Sequence, residues 1–104
     1  MKIQRATPDD QKTLLEIMFE TFKQETEEAS AEEWDKTRAA VVTLLHDPQA
    51  GEAYLTFDED DHLIGYIIMC RGFSLVCGGY FTWVEESYMR KSDQGRFRDQ
   101  RFSP

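Results

Sequence analysis

The sequence predicts an α+β fold in which two N-terminal helices pack on a mostly antiparallel sheet. Three observations predict it. In the first half of the 104-residue chain, apolar residues recur at three- and four-residue steps, which is typical of helices with one buried face. In the second half the spacing changes to two, as in strands. Three strands follow one another directly, so neighbours can pair as antiparallel hairpins and give the helices a sheet on which to bury their apolar faces.

One domain is expected, because a chain of this length is long enough for one hydrophobic core and too short for two. Its helices are predicted over residues 8–24 and 31–46. Residues 7–10 (Thr-Pro-Asp-Asp) begin the first helix with an N-cap threonine, a first-turn proline and two carboxylates near the positive end of the helix dipole. Ser30 and Glu33 form the capping box that begins the second helix.

Four strands are predicted, over residues 3–6, 52–57, 63–71 and 80–89. An acidic turn makes a hairpin of the second and third strands. The third strand is apolar at both alternating positions, which is typical of a central strand covered on both faces. The fourth strand is rich in aromatic and branched residues but carries two glutamates in its middle, Glu85 and Glu86.

The net charge of −8 is unevenly distributed. Residues 90–104 hold five basic and two acidic side chains, so they carry +3 and leave −11 on the rest of the chain. An acidic body argues against general nucleic-acid binding, which needs a basic surface. It suits a cationic substrate, although solubility alone also explains such a charge.

The sequence contains no apolar run near the ~20 residues of a membrane span, and its first residues are polar, unlike those of a signal peptide. Cys70 and Cys77 lie outside any metal-ligand pattern, which is typical of reduced thiols. His46 and His62 lie at a predicted helix end and a predicted turn, and neither indicates a metal site. We therefore expect a cytoplasmic protein with no membrane, metal or nucleic-acid partner.

Four short motifs occur in a recognisable order. Residues 3–10 combine a strand with a Thr-Pro-x-Asp helix start, and residues 60–66 combine an acidic turn with Ile-Gly-Tyr. Residues 84–90 read Val-Glu-Glu-Ser-Tyr-Met-Arg, and residues 91–96 begin a loop that contains Gln-Gly-Arg. In this order the motifs resemble the N-terminal half of the GNAT superfamily of acetyl-CoA-dependent N-acetyltransferases. The resemblance implies acetyl transfer from acetyl-CoA to an amine.

The resemblance also implies where the site lies. In such proteins the fourth strand has a bulge, beside which backbone groups bind the pantetheine arm of acetyl-CoA; here those groups belong to Ser87, Tyr88 and Met89. A backbone N–H in the same stretch polarises the acetyl carbonyl. A carboxylate near the bulge takes the proton of the substrate amine, directly or through water, and Glu85 and Glu86 are the candidates. Successive side chains of a strand point to opposite faces, so one of the two at most is expected to face the site. The alternative is that both are solvated or ion-paired.

The acceptor pocket is less specified. Phe19, Phe22 and Tyr80 are candidates for its lining, with the alternative that all three belong to the core. The acidic residues 25–28 hint at an amine or polyamine acceptor, but a solvated helix end explains them as well. The sequence leaves open whether the acceptor is a small molecule or a peptide.

The loop that should bind the pyrophosphate departs from the family pattern. Gln94, Gly95 and Arg96 match its first half, and the resemblance assigns them to the cofactor. Phe97 and Asp99 stand where small residues let consecutive backbone N–H groups close around phosphate oxygens. We therefore expect impaired acetyl-CoA binding, and a truncation or a shifted reading frame after the start of this loop.

Three functions are open at this point. The first is an N-acetyltransferase, assembled where necessary by two chains that share a sheet. The second is a catalytically inactive GNAT fragment that self-associates as a homodimer through the exposed edge of its fourth strand, since an unpaired apolar strand is a template for pairing. The third is a small acidic regulatory or binding domain that resembles the family by chance.

Overall fold

Four strands in sequence order form one antiparallel sheet, and two helices pack on it. The computed structural model describes residues 1–25 and 30–90. The strands are β1 (Lys2–Arg5), β2 (Gly51–Phe57), β3 (Leu63–Ser74) and β4 (Gly79–Met89). The helices are α1 (Gln11–Glu25) and α2 (Ala31–His46). This architecture confirms the predicted α+β fold class.

Local hydrogen bonds begin both helices where the sequence places capping residues. The backbone N–H of Thr7 donates to Asp10 Oδ2 at 2.9 Å, and a 3-10 turn, Pro8–Asp10, precedes α1. The side chain of Ser30 accepts the N–H of Glu33 at 3.2 Å and begins α2. None of the helices among the described residues is long and apolar enough to cross a membrane.

The core lies between the helices and one face of the sheet. Ala53 of β2 and Ile68 of β3 are cross-strand partners, and both belong to this core. Tyr66 of β3 and Leu14 of α1 form its centre, each with 0% of its surface exposed. The other buried members are Ala6, Ile17, Met18, Val41 and Leu55. The buried apolar residues of the first helix therefore pack on this face of the sheet.

The opposite face of the sheet carries no helix within residues 1–25 and 30–90. Ile67 and Met69, which alternate with the core residues of β3, are half-buried, and Ile3 of β1 is 54% exposed. The expectation that β3 is covered on both faces is not met in this part of the chain. Tyr66 and Ile68 of β3 lie in the packed core, whereas Ile67 and Met69 lie on the other face of the sheet, in a partly exposed apolar surface.

The hairpin of β3 and β4 is longer than predicted. The pairing of β3 with β2 ends at Cys70, opposite Gly51, whereas Phe73 still pairs with Tyr80 of β4. The two rings meet edge to face with their centroids 5.2 Å apart, a cross-strand contact that stabilises paired strands. Much of the predicted loop over residues 72–79 is therefore strand, and this end of the hairpin extends beyond β2.

Gly65 permits the close approach of β3 and β4. It pairs with Met89 of β4, and a Cβ at this position would collide with the carbonyl oxygen of Tyr88. Any larger residue would push the two strands apart. The glycine of the Ile-Gly-Tyr motif therefore has a packing role opposite Tyr88 and Met89 of β4.

Replacing Leu14 with alanine should reduce the free energy of unfolding by about 2–5 kcal/mol, because the side chain is fully buried and its removal leaves a cavity under α1. Leu75→Ala is the matched control. Leu75 is 88% exposed, so the same truncation should change stability by less than about 0.5 kcal/mol. Urea titration followed by circular dichroism measures both variants. Equal losses at the two positions would contradict the described core.

Candidate active site

A β-bulge in β4 determines where the two candidate carboxylates lie. Ile68 of β3 pairs with Glu86, and the next residue, Met69, pairs with Val84. Glu85 is therefore an extra residue with no register partner on β3. Such a bulge interrupts the alternation of side chains along a strand. The bulge that the resemblance implies is thus present in this chain, at Glu85.

Both carboxylates lie on the helix-covered face of the sheet. The Tyr66 hydroxyl donates a hydrogen bond to Glu86 Oε2, and the Cys70 thiol lies 3.8 Å from Glu85 Oε2. Tyr66 belongs to the core under the helices, and Cys70 packs against that core from the same face of β3. The expectation that Glu85 and Glu86 point to opposite faces is wrong, because the extra residue cancels one step of the alternation.

Cys70 and Glu85 influence each other. Burial raises the pKa of the Cys70 thiol above its ordinary value, and the negative charge of Glu85 and its hydrogen bond with the thiol raise it further. The other carboxylate oxygen of Glu85, Oε1, accepts a hydrogen bond from Trp83 Nε1 at 3.3 Å. Glu85 is therefore oriented by one donor from each strand, while Cys70 is a neutral thiol at neutral pH.

The two carboxylates line a cleft of about 540 Å³ between the helices and the β3–β4 pair. This volume lies within the range of ~300–1,000 Å³ that is typical of small-molecule sites. The lining residues are Met18, Phe22, Glu33, Lys36, Thr37, Ala40, Val41, Leu44, Ile68, Cys70, Glu85 and Glu86. The arrangement can therefore hold a small ligand next to two carboxylates that accept protons.

Of the three aromatic residues predicted for the acceptor pocket, Phe22 lines this cleft. Phe19 lies beside Phe22, since both rings pack on Trp34 of α2, with centroids 4.9 and 5.4 Å from the Trp34 ring respectively. Tyr80 lies on the outer part of the β3–β4 hairpin, 71% exposed, with the Arg71 guanidinium 5.6 Å from its ring centroid. The structure brings Phe22 and the two glutamates together and leaves Tyr80 apart from them.

The residues implied to bind pantetheine follow the bulge directly. Ser87, Tyr88 and Met89 continue the pairing with β3. The Tyr88 hydroxyl donates to Gln24 Oε1 of α1 at 3.4 Å, which connects this stretch to the helix. β4 is an edge strand of the sheet that the structure describes. In an antiparallel edge strand, every second residue directs its backbone groups away from its neighbour, so this stretch can present such groups to a ligand.

Arg90 fixes the end of β4. Its backbone N–H donates to Ile64 O at 2.8 Å, and its guanidinium donates to Leu63 O at 2.8 Å and to Glu20 Oε2 at 3.2 Å. The strand end is thus attached both to β3 and to α1. The loop residues assigned to the cofactor, and the two that depart from the family pattern, lie outside the described residues: Gln94, Gly95, Arg96, Phe97 and Asp99.

Sequence reasoning missed Tyr66 and Cys70 as site residues. The signal for them is the period of two, since positions 66, 68 and 70 share the face of β3 on which the helices must pack. Glu33 and Lys36 of α2 also line the cleft without having been predicted. No signal identified them, because the side of α2 that meets the cleft depends on how the helix lies on the sheet.

Asp58, Asp60 and His62 bring three ligand-type atoms within 4.8 Å of one another in the β2–β3 turn. Asp58 Oδ1 already accepts the backbone N–H groups of His62 and Asp60, at 2.9 and 2.8 Å, and these bonds lower the pKa of its carboxyl. They close a turn in which Asp61 has a left-handed φ of 64°. We therefore interpret this exposed cluster as a structural turn and assign no metal to it.

Glu85→Gln should accelerate alkylation of Cys70 severalfold, because loss of the negative charge lowers the pKa of the thiol and increases its thiolate fraction. The measurement is the rate of reaction with iodoacetamide at pH 8 in a Cys77→Ser background, followed by mass spectrometry. Glu33→Gln is the matched control, since it removes another carboxylate of the same cleft. Equal rates in all three proteins would contradict the contact between Cys70 and Glu85.

Solved structures share this fold. An integron cassette protein from the mobile metagenome of Cole Harbour Salt Marsh is 28% identical, with a TM-score of 0.77. A possible acetyltransferase from Clostridium difficile 630 is 20% identical, with a TM-score of 0.74. The ribosomal-protein-alanine N-acetyltransferase from Brucella melitensis biovar Abortus 2308 is 18% identical, with a TM-score of 0.66. Neither the family models nor the curated proteins include a match to the sequence.

The three superpositions cover 91, 95 and 93% of this chain but only 60, 63 and 62% of the other proteins, in the same order. The chain therefore spans about three-fifths of the length of the structures it matches. Two of these are acetyltransferases by name, and the likeness to them concerns the fold. With two helices on one face of a four-stranded antiparallel sheet and a bulge in the fourth strand, the chain has the fold of the N-terminal part of a GNAT-type acetyltransferase.

Proposed function

We propose that this chain takes part in acetyl transfer from acetyl-CoA to an amine, with Glu85 or Glu86 as the group that accepts the amine proton. The observation that carries the proposal is the bulge, which places both carboxylates on the same side of β4 and beside the cleft. The acetyltransferase names of two proteins with the same fold support it. The acceptor amine would occupy the cleft.

The two carboxylates differ in what holds them. An ammonium group must lose a proton before its nitrogen can attack a carbonyl, and a carboxylate within reach of it, directly or through water, can take that proton. Glu86 receives a hydrogen bond from the buried Tyr66, which fixes its position relative to the core. Glu85 is held by Trp83 and Cys70. Both groups are therefore oriented before a ligand arrives.

Acetyl-CoA, when bound, supplies the acetyl group. The pantetheine arm would run along the backbone of Ser87, Tyr88 and Met89, next to the carboxylates. Phe97 and Asp99 occupy positions at which a phosphate-binding loop of the family has small residues. We therefore propose that acetyl-CoA binds weakly. We place the activity in the cytoplasm, where free thiols such as Cys70 and Cys77 stay reduced.

Acetyl-CoA at millimolar concentration should raise the melting temperature of the full chain, because a ligand that binds the folded state stabilises it. ATP at the same concentration controls for general binding of phosphates. The double variant Glu85→Gln/Glu86→Gln should keep this shift, since the proposed cofactor contacts are backbone groups. It should lose about 100-fold or more of the rate of CoA release in the presence of an amine. No shift with acetyl-CoA, or a shift equal to that with ATP, would refute the enzymatic function for this chain.

A second candidate function is self-association through β4, and a specific observation favours it. Tyr80, Trp83 and Val84 of this strand are 71, 40 and 57% exposed. β4 is also an edge of the sheet among the described residues, and apolar edge strands pair with other strands. We propose a homodimer in which β4 of two copies pair. Pairing that extends over Ser87, Tyr88 and Met89 would occupy the backbone groups proposed for the pantetheine arm, so such a dimer would replace catalysis.

Val84→Lys should convert the proposed dimer to a monomer, because a charge on the paired strand opposes edge-to-edge association. Light scattering coupled to size-exclusion chromatography measures the mass over a range of protein concentrations. Ile3→Lys is the matched control: Ile3 is 54% exposed on β1, at the other edge of the sheet, and its replacement should leave the dimer intact. A wild-type chain that is monomeric at every concentration would contradict pairing through β4.

A further inference from the structure

The cleft under the helices combines an apolar floor with a negatively charged side. We infer that it binds a primary monoamine whose ammonium group is joined to a single apolar chain. This inference rests on the proposed function for its chemistry, since the bound amine would be the acetyl acceptor. It goes beyond that function by naming the class of amine.

The floor of the cleft selects an apolar group. Met18, Val41 and Ile68 line it and are only 6, 6 and 5% exposed, and the Phe22 ring adds a fourth apolar surface. A polar chain placed here would lose its hydrogen bonds with water and find few replacements. The cleft volume of about 540 Å³ leaves room for a chain of several carbons or a ring. The part of the ligand that enters deepest is therefore hydrocarbon.

The charged groups select a cation and indicate its position. Among the described residues that line the cleft, three are carboxylates and one, Lys36, is a cation. Lys36 follows Glu33 by three residues on α2, a spacing at which two side chains of a helix are neighbours. Glu85 and Glu86 reach the cleft from β4, and neither carboxylate belongs to an ion pair among the described residues. The ammonium group should therefore lie at the bulge of β4.

This combination discriminates against related amines. A polyamine would place its second ammonium on the apolar floor, where desolvation of a charge is unfavourable. An amino acid would bring its carboxylate next to Glu85 and Glu86, and like charges repel. A peptide N-terminus carries a polar carbonyl beside its ammonium. An alkyl or arylalkyl monoamine has none of these groups, and it fits both sides of the cleft.

Binding of n-alkylamines to the full chain, without acetyl-CoA, tests the inference directly. The affinity should rise about fourfold for each added methylene from butylamine to octylamine, since each one is buried on the floor. Hexylamine should bind more tightly than hexan-1-ol, spermidine, lysine and the dipeptide Leu-Gly. NMR titration gives the affinities, and the indole N–H resonance of Trp83, which donates to Glu85, reports whether the ammonium arrives at the bulge.

Two variants separate charge recognition from apolar packing. Glu85→Gln/Glu86→Gln should weaken hexylamine binding by about 3- to 30-fold, to the level of hexan-1-ol, and leave hexan-1-ol binding unchanged. Both residues are exposed, so the variant should fold. Glu32→Gln is the matched control, because Glu32 precedes the cleft residue Glu33 on α2 but does not line the cleft. It should leave both affinities unchanged.

Several results would overturn the inference. They are an affinity independent of chain length, tighter binding of spermidine or Leu-Gly than of hexylamine, and equal losses in the two variants. The inference and the proposed function fail separately, because amine binding is measured without acetyl-CoA. Hexylamine binding without an acetyl-CoA shift would refute the enzyme and leave the amine site. An acetyl-CoA shift without alkylamine binding would refute the amine class alone.

Discussion

The pairing of β3 with a bulged β4 is the constraint on which the candidate site depends. β3 is anchored by Tyr66, which has no exposed surface, and the hydroxyl of this tyrosine reaches Glu86. Gly65 lets the two strands approach each other just before that contact. With these two residues fixed, the extra residue Glu85 turns toward the helices, so the packing of the core determines the direction of both carboxylates. The orientation of the charged groups is therefore a consequence of core packing, although both groups are themselves exposed.

Most of the fold follows from local patterns, and the exceptions have physical reasons. The capping residues and the helical stripe predict the order and approximate bounds of both helices, because these signals are contained in a few neighbouring residues. The length of the β3–β4 hairpin was underestimated because Gly72 is typical of a loop. In the structure, a Cβ at Gly72 would meet the rings of Phe81 and Trp83, so glycine makes room for aromatic groups on the neighbouring strand. Such a requirement involves residues about ten positions apart and cannot be recognised from either segment alone.

Three of the residues that the sequence proposes for the site, Phe22, Glu85 and Glu86, line one cleft, but the geometry of that cleft was not predictable. The resemblance pointed to Glu85 and Glu86, and the period of two then predicted opposite faces for them. A bulge can be recognised in a sequence only where it breaks an alternation of apolar and polar residues. β4 has apolar or aromatic residues at both alternating positions, so its sequence does not reveal the bulge. The contribution of α2 could not be predicted either, since the cleft forms only when that helix is placed on the sheet. Sequence patterns specify which residues share a face, and tertiary packing specifies what that face meets.

Arg90 lies between the two parts of the chain that the proposed acetyl transfer would use, the cleft for the amine and the later residues for the phosphates of acetyl-CoA. Its backbone and guanidinium hold the end of β4 to β3 and α1, through Ile64 O, Leu63 O and Glu20. The ion pair with Glu20 is half exposed and contributes little on its own, at most about 1 kcal/mol. The two hydrogen bonds to the backbone carbonyls of Leu63 and Ile64 add to this stabilisation and attach the end of β4 to β3. The carboxylates of the cleft precede Arg90 in the sequence, whereas the residues that the resemblance assigns to the phosphates, Gln94, Gly95 and Arg96, follow it. The proposed weak binding of phosphate, which concerns Phe97 and Asp99, and the proposed binding of an amine in the cleft therefore involve separate parts of the chain.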